Sequence, residues 1–317
     1  MSASLDTGMP VTRTFAGQMG DLLFNLFVKP IVSLKSAMCP RRKGYATPAE
    51  LTTELITKLQ KITPNIFSSK YVFTFAMPGG VSMVEYMWLL KTSAGVIVLN
   101  PDPNGVQAYD DSLKANGLDN IVCIVMVNFA HESGIHQWKA AYPSAACLVP
   151  QKHIMPEQYS EIAKRVCCDG TLLGTIEDHI SNYGISIIPL AYRENMGIDY
   201  HWILPSEGPN GSGKFILFSK TIHRQGSDPD DTSSPLEPLP AIFIWVASLA
   251  EYKKVLVDMS QTKNLVGVGG FHFQGSTVDA EALKRALISM ADALPVGGLG
   301  LSQHQYKSKF NQVFSSS

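Results

Sequence analysis

Eight histidines are the most versatile side chains in this sequence: His131, His136, His153, His179, His201, His223, His272 and His304. An imidazole titrates close to neutral pH, so it can move a proton or ligate a metal. One pair has suggestive surroundings, in the string Asn128-Phe-Ala-His131-Glu132-Ser133-Gly-Ile-His136-Gln-Trp138. That string follows directly on the apolar run Ile121-Val-Cys-Ile-Val-Met-Val127. Such a run reads as a buried strand, and α/β sheets bind ligands beyond the carboxyl ends of their central strands. A second string, Gly208-Pro-Asn-Gly-Ser-Gly-Lys214, has the glycine and lysine spacing of a phosphate-binding loop. Phe215 then stands where a Ser or Thr hydroxyl should meet magnesium. Phe215-Ile-Leu-Phe218 also reads as strand, not as the helix whose N-terminus would face a phosphate. The string is therefore read as a glycine-rich hairpin.

The five cysteines, Cys39, Cys123, Cys147, Cys167 and Cys168, make neither a disulfide framework nor a Cys-x-x-Cys metal or redox pair. Cys123 lies inside the apolar run and reads as a small buried hydrophobe. The 26 Lys+Arg against 27 Asp+Glu leave a formal charge of −1. Without a basic excess no nucleic-acid partner is expected, since phosphate binding needs clustered Lys and Arg. With 45% hydrophobic and 17% charged residues the chain is not a disordered one. At 317 residues it can bury ~75% of its unfolded surface without disulfide or structural metal. The first residues show no signal-peptide pattern, and Leu22-Leu-Phe-Asn-Leu-Phe-Val28 is too short for a membrane span. The expectation is a cytoplasmic protein with no transmembrane segment, in which the sequon Asn210-Gly-Ser212 carries no weight.

These side chains need a frame. Residues 1–45 read as a helical N-terminal extension broken at Pro30, and 46–317 as the main domain. Thr47-Pro-Ala-Glu50 has the cap, Pro and Glu of a helix start. Tyr71–Met77, Met83–Leu90 and Val96–Leu99 read as three strands joined through the turns Pro78-Gly-Gly80 and Ser93-Ala-Gly95. A helix over Gln107–Asn116 ends at Gly117, and a strand over Asn120–Val127 follows. Further on come a short helix at Gln137–Ala141, a strand at Ala145–Val149 and a helix at Pro156–Val166. Strands are expected at Ile185–Pro189, His201–Leu204 and Lys214–Ser219, and a solvated loop at Gly226–Pro235. Phe243–Tyr252 reads as helical or mixed and Asp279–Ala293 as a clear helix. Two sheets with helices outside satisfy this order.

Three strings carry a resemblance: Gly95-Val-Ile-Val-Leu-Asn-Pro-Asp-Pro103, Ile121 through His131 with Trp138, and Tyr142-Pro-Ser-Ala145. Over roughly residues 70–275 the chain resembles the metallo-β-lactamase superfamily. It is most similar to a divergent branch with an Asn-x-x-His loop, a Trp about seven residues later and a Tyr/Phe-Pro-x-Ala segment. The resemblance implies an αββα four-layer sandwich. In active members the metal loop reads His-x-His-x-Asp-His. Laid on it, this chain offers Phe129, Ala130, His131, Glu132, Ser133 and Gly134, so one His of the set is kept. The family's bridging carboxylate should follow the strand Phe215–Ser219, where Lys220 and Thr221 stand instead. The distal His would be His272.

Catalytic zinc usually has three protein ligands and a water. A Lys ammonium near a second-metal position repels a cation. The expected cofactor is therefore none, and a dinuclear centre is not expected. Zinc or iron would require a mononuclear site drawn from His131, His136, His223 and His272. The leading reading is a protein acting on a small organic molecule, by a hydrolase or lyase step in small-molecule metabolism. His131 would be general acid or base, Ser133, Glu132 and Lys220 would assist, and His136, Trp138 and His272 would line the cleft. The alternatives are a non-catalytic binding or scaffold protein on the same fold, or a mononuclear metallohydrolase. In the N-terminal segment Leu22, Leu23, Phe27 and Ile31 could form an apolar stripe, and the oligomeric state is left open.

Overall fold

The computed structural model describes residues 58–75, 81–103, 105–127, 134–150, 173–191, 198–208, 211–219, 221–224, 231–238, 246 and 248–294. A seven-stranded sheet is laid down in chain order. Its strands are β1 (Gln60–Lys61), β2 (Ile66–Phe75), β3 (Val81–Thr92), β4 (Gly95–Leu99), β5 (Ile121–Val125), β6 (Ala146–Val149) and β7 (Leu173–Thr175). The first four pair antiparallel, and β4 to β7 run parallel. A five-stranded sheet follows, built from β8 (Ser186–Ala191), β9 (Ile198–Gly208), β10 (Gly211–Phe218), β13 (Leu265–Gly270) and β14 (Ser276–Thr277). Its order is β14-β13-β10-β9-β8, with only β10 and β13 parallel. Between β10 and β13, β11 (Ile222–Arg224) and β12 (Leu236–Pro238) make a two-stranded ribbon.

The alternation of side chains along each strand sorts the core into three slabs. Trp88, Leu90, Ile97, Leu99 and Val125 meet Trp202, Leu204, Phe215 and Leu217 between the sheets. Met87, Leu89, Val98, Ile124 and Met126 face the other way, under α1 (Asp110–Ala115) and α2 (Ile135–Ala141), which supply Leu113 and Trp138. A four-residue helix, α3 (Ile176–His179), follows β7. The outer face of the second sheet, with Ile216, Phe218 and Val268, is covered by α4 (Leu249–Ser260) and α5 (Ala280–Ala293) through Leu256, Met259, Leu283, Leu287 and Met290. Ser248 and Asp279 cap those two helices by accepting the amide protons of Glu251 and Ala282. Helix, sheet, sheet, helix is the four-layer αββα order expected from the sequence.

Several elements differ from the sequence reading. Strand β2 begins at Ile66, five residues before Tyr71, because Phe67 and Ser69 continue its pairing with β3. Helix α4 runs on to Ser260, well past Tyr252. Strand β13, Leu-Val-Gly-Val-Gly-Gly, was not anticipated, since glycine disfavours strands. A Cβ at Gly269 would lie 2.3 Å from the Trp88 ring, and one at Gly267 2.7 Å from Phe215. Glycine is there because two large rings fill the space above it. The string Gly208–Lys214 is a hairpin arm, with Gly211 opposite Gly208 and β10 continuing as strand. The expected N-terminal extension over 1–45, the helix starts at Thr47 and Pro156, and residues 226–230 lie outside the described residues. Among the described residues no helix is long and apolar enough to cross a membrane.

Candidate functional site

The carboxyl ends of the parallel strands of both sheets come together along one rim. Asn100, next after β4, adopts φ 56° and donates its side-chain amide to the Tyr86 carbonyl at 3.0 Å. The Tyr86 N–H in turn donates to the Phe271 carbonyl at 3.0 Å, one residue past the end of β13. Trp88 adds an indole bond to the Gly270 carbonyl at 3.1 Å. These bonds join the end of β4 to the end of β13. At the far side of the rim a second joint is made by Tyr200 of β9, whose hydroxyl donates to Glu177 in α3. Between the joints lie the ends of β4, β5 and β6 on one side and of β10 on the other. The joints are four strand spacings apart on the first sheet, about 19 Å, and two on the second, about 10 Å, with the sheets about 10 Å from each other. The opposite edge is clasped shut. Asn65 donates to the Pro205 carbonyl at 3.1 Å and accepts the Glu207 N–H at 2.9 Å, while Ser206 donates to Thr63 at 3.2 Å.

The sequence-derived candidates divide around this rim. His131, Glu132, Ser133 and Lys220 lie outside the described residues, but the chain on either side of each is at the rim. Before His131 the described chain stops at fully buried Val127, and after Ser133 it resumes with its foot at Gly134. A Cβ on Gly134 would sit 2.0 Å from the Pro101 carbonyl oxygen, so this foot is pressed onto the turn after β4. Ser219 and Thr221, the neighbours of Lys220, are fully buried and joined hydroxyl to hydroxyl at 2.7 Å. Tyr252 of α4 donates to Thr221 at 2.9 Å, and the Ser219 N–H donates to His201 Nδ1 at 3.1 Å. Burial lowers the His201 imidazole to about 3, which keeps it a neutral acceptor. His272, next to Phe271, is half-buried at the rim.

The other candidates are placed elsewhere. His136 is exposed in the first turn of α2. Trp138 is 0% exposed and donates its indole to the Asp102 carbonyl at 3.0 Å. It is part of the packing between α2 and the first sheet, because its ring faces inward with Ile135. His223 faces Glu237 across the β11–β12 ribbon at 3.1 Å. Among the described residues no three His, Cys, Asp or Glu gather.

Two groups of polar residues at the rim escaped the sequence reading. Behind the end of β4, Tyr71 donates to Glu85 at 2.8 Å, and Asn100 reaches the same oxygen at 3.4 Å. Tyr109 donates to Asp102, and Ser69 donates to Tyr109 at 3.3 Å. Glu85 and Asp102 are essentially unexposed. Burial, then the neighbouring carboxylates, pushes both phenols well above the ordinary tyrosine range, so both stay protonated donors. The Asn-Pro-Asp-Pro stretch at residues 100–103 was the visible signal of this group. The Tyr200–Glu177 joint had none, because its two halves are 23 residues apart, one on a strand and one on a short helix.

No family model and no curated protein matches this chain. The solved structures it is similar to are metallo-β-lactamases. One, from Pseudomonas aeruginosa in a mono-zinc form, is 13% identical with TM-score 0.44, covering 75% of this chain and 95% of the other. Another, from Erythrobacter litoralis with β-mercaptoethanol in its active site, is 11% identical with TM-score 0.46, covering 77% and 99%. A third, from Hirschia baltica, is 11% identical with TM-score 0.40, covering 74% and 98%.

Proposed function

We propose that this chain binds a small organic molecule at the rim between its two sheets and carries out a hydrolase or lyase step there, without a dinuclear metal centre. The observation that supports it is the pair of joints, Tyr86–Phe271 and Tyr200–Glu177, which bracket the strand ends from which residues 128–133 and Lys220 depart. A rim that narrows from about 19 Å on one sheet to about 10 Å on the other suits a compact ligand rather than a polymer. In this reading His131 takes a proton from water or from the ligand and later returns it. The Lys220 ammonium offsets negative charge that develops on the ligand's oxygen. Glu132 or Ser133 holds the imidazole in orientation, and His272 faces the ligand from the other sheet. His136, exposed in the first turn of α2, lines the cleft in this reading, and buried Trp138 supports it from the core.

The test is turnover of a panel of esters and lactones by the wild-type chain and by His131→Ala, with circular dichroism to verify the fold. General acid–base catalysis predicts a loss in kcat/KM of about 100-fold or more. Activity equal in the two proteins, or absent from both, would replace the enzymatic reading by a non-catalytic binding role on the same fold.

A further inference from the structure

The second joint of the rim holds more hydrogen-bonding capacity than the protein itself uses. Glu177 accepts the Tyr200 hydroxyl at Oε1, while its Oε2 is shielded from solvent and has no hydrogen-bond partner. No Lys or Arg among the described residues pairs with this carboxylate. Its neighbour Asp178 is acidic too and is taken up by Thr175, the cap of α3. On the same face of β9, two residues along from Tyr200, lies Trp202, with its ring centroid 5.7 Å from that of Tyr200. Trp202 is 0% exposed, and its indole N–H also has no partner. Apolar groups surround the pair: Ile176, Ile180 and partly buried Tyr183.

A buried carboxylate oxygen left unpaired is unfavourable, and the group that relieves it best is a charged donor. We infer that Glu177, held in place by Tyr200, is the acceptor of a protonated amine, so that the rim takes a ligand with an ammonium group on a compact apolar body. Tyr200 is the positioning residue: its donation to Oε1 fixes the carboxylate and leaves Oε2 to face the ammonium. The apolar portion lies over the rim beside partly buried Tyr183, and fully buried Trp202 beneath the joint reports the binding. With no cation paired to it among the described residues, this carboxylate favours an ammonium over a neutral hydroxyl. The inference rests on the reading of the rim as the binding cleft, and it names the ligand class for that cleft.

Benzylammonium and its neutral counterpart benzyl alcohol serve as probes for the full chain, followed through the indole N–H resonances by NMR. Benzylammonium is expected to bind saturably, to move the Trp202 resonance, and to bind roughly tenfold or more tightly than benzyl alcohol, as one charge-assisted hydrogen bond implies. E177Q, which keeps the size of the side chain, should bring the two probes to equal affinity. No saturable binding of benzylammonium, or equal affinity of the two probes for the wild type, overturns the inference without any variant. Unchanged preference in a folded E177Q overturns it as well. The NMR titration needs no turnover of either probe. A failure of turnover and a failure of amine binding are therefore read separately.

Discussion

His201 offers a quantitative test of how the second sheet is built. Its ring lies on the outer face of β9 beneath α4, edge-on to Phe218 at 5.3 Å and 5.9 Å from Tyr252, and the residue is 0% exposed. Burial alone lowers the imidazole from 6.5 to about 3. In the unfolded chain the same group takes up a proton near pH 6.5. Above that pH neither state is charged and His201 imposes no penalty. As pH falls below 6.5 the unfolded state binds a proton that the native state refuses. Native stability then drops by about 1.4 kcal/mol per pH unit until the native value near 3 is reached. Between pH 6.5 and 4.5 the loss is about 2.7 kcal/mol. The perturbation is His201→Asn, whose side-chain oxygen can still accept the Ser219 N–H but which does not titrate. The variant loses roughly 1–2 kcal/mol of ring packing at pH 7, and its stability changes less with acid. Urea unfolding at several pH values gives both curves, and carboxylates shared by the two proteins cancel in the difference. Parallel curves from pH 6.5 to 4.5 would refute the reasoning, because they would mean that His201 protonates as easily in the native state as outside it.

Two further perturbations address the ends of the sandwich. Asn65→Ala removes the side chain that ties β9 and β3 together at the closed edge; it should cost about 2 kcal/mol in urea unfolding and leave ligand binding at the far rim unchanged. An effect below about 0.5 kcal/mol would mean that water replaces the clasp. Gly134→Ala places a Cβ 2.0 Å from the Pro101 carbonyl oxygen, a backbone atom with little room to yield. It should destabilise the chain by about 2 kcal/mol or more and lower turnover along with H131A, since the return foot of the His131 loop must move. Wild-type stability and activity in that variant would show that the seat is looser than the geometry implies.

The local pattern along the chain determined much of the frame. The apolar runs at residues 83–90 and 121–127 mark strands buried on both faces, and the helical period at 279–293 places one buried face. Side-chain chemistry close in sequence was equally plain: Phe215 and the strand after it excluded a phosphate loop, and the hairpin at Gly208–Gly211 agrees. Tertiary packing decided the rest. Glycine-rich β13 is a strand because Trp88 and Phe215, more than fifty residues away, fill the space above its backbone. Trp138 faces the core rather than a ligand because the Asp102 carbonyl, thirty-six residues earlier, takes its indole proton. His223 is engaged because Glu237 stands opposite on a ribbon whose pairing no local pattern announces. Tyr86–Phe271 and Tyr200–Glu177 bracket the rim by joining residues far apart in the chain. Periodicity tells which side of an element is buried, but the partner that buries it is chosen only when both sheets pack.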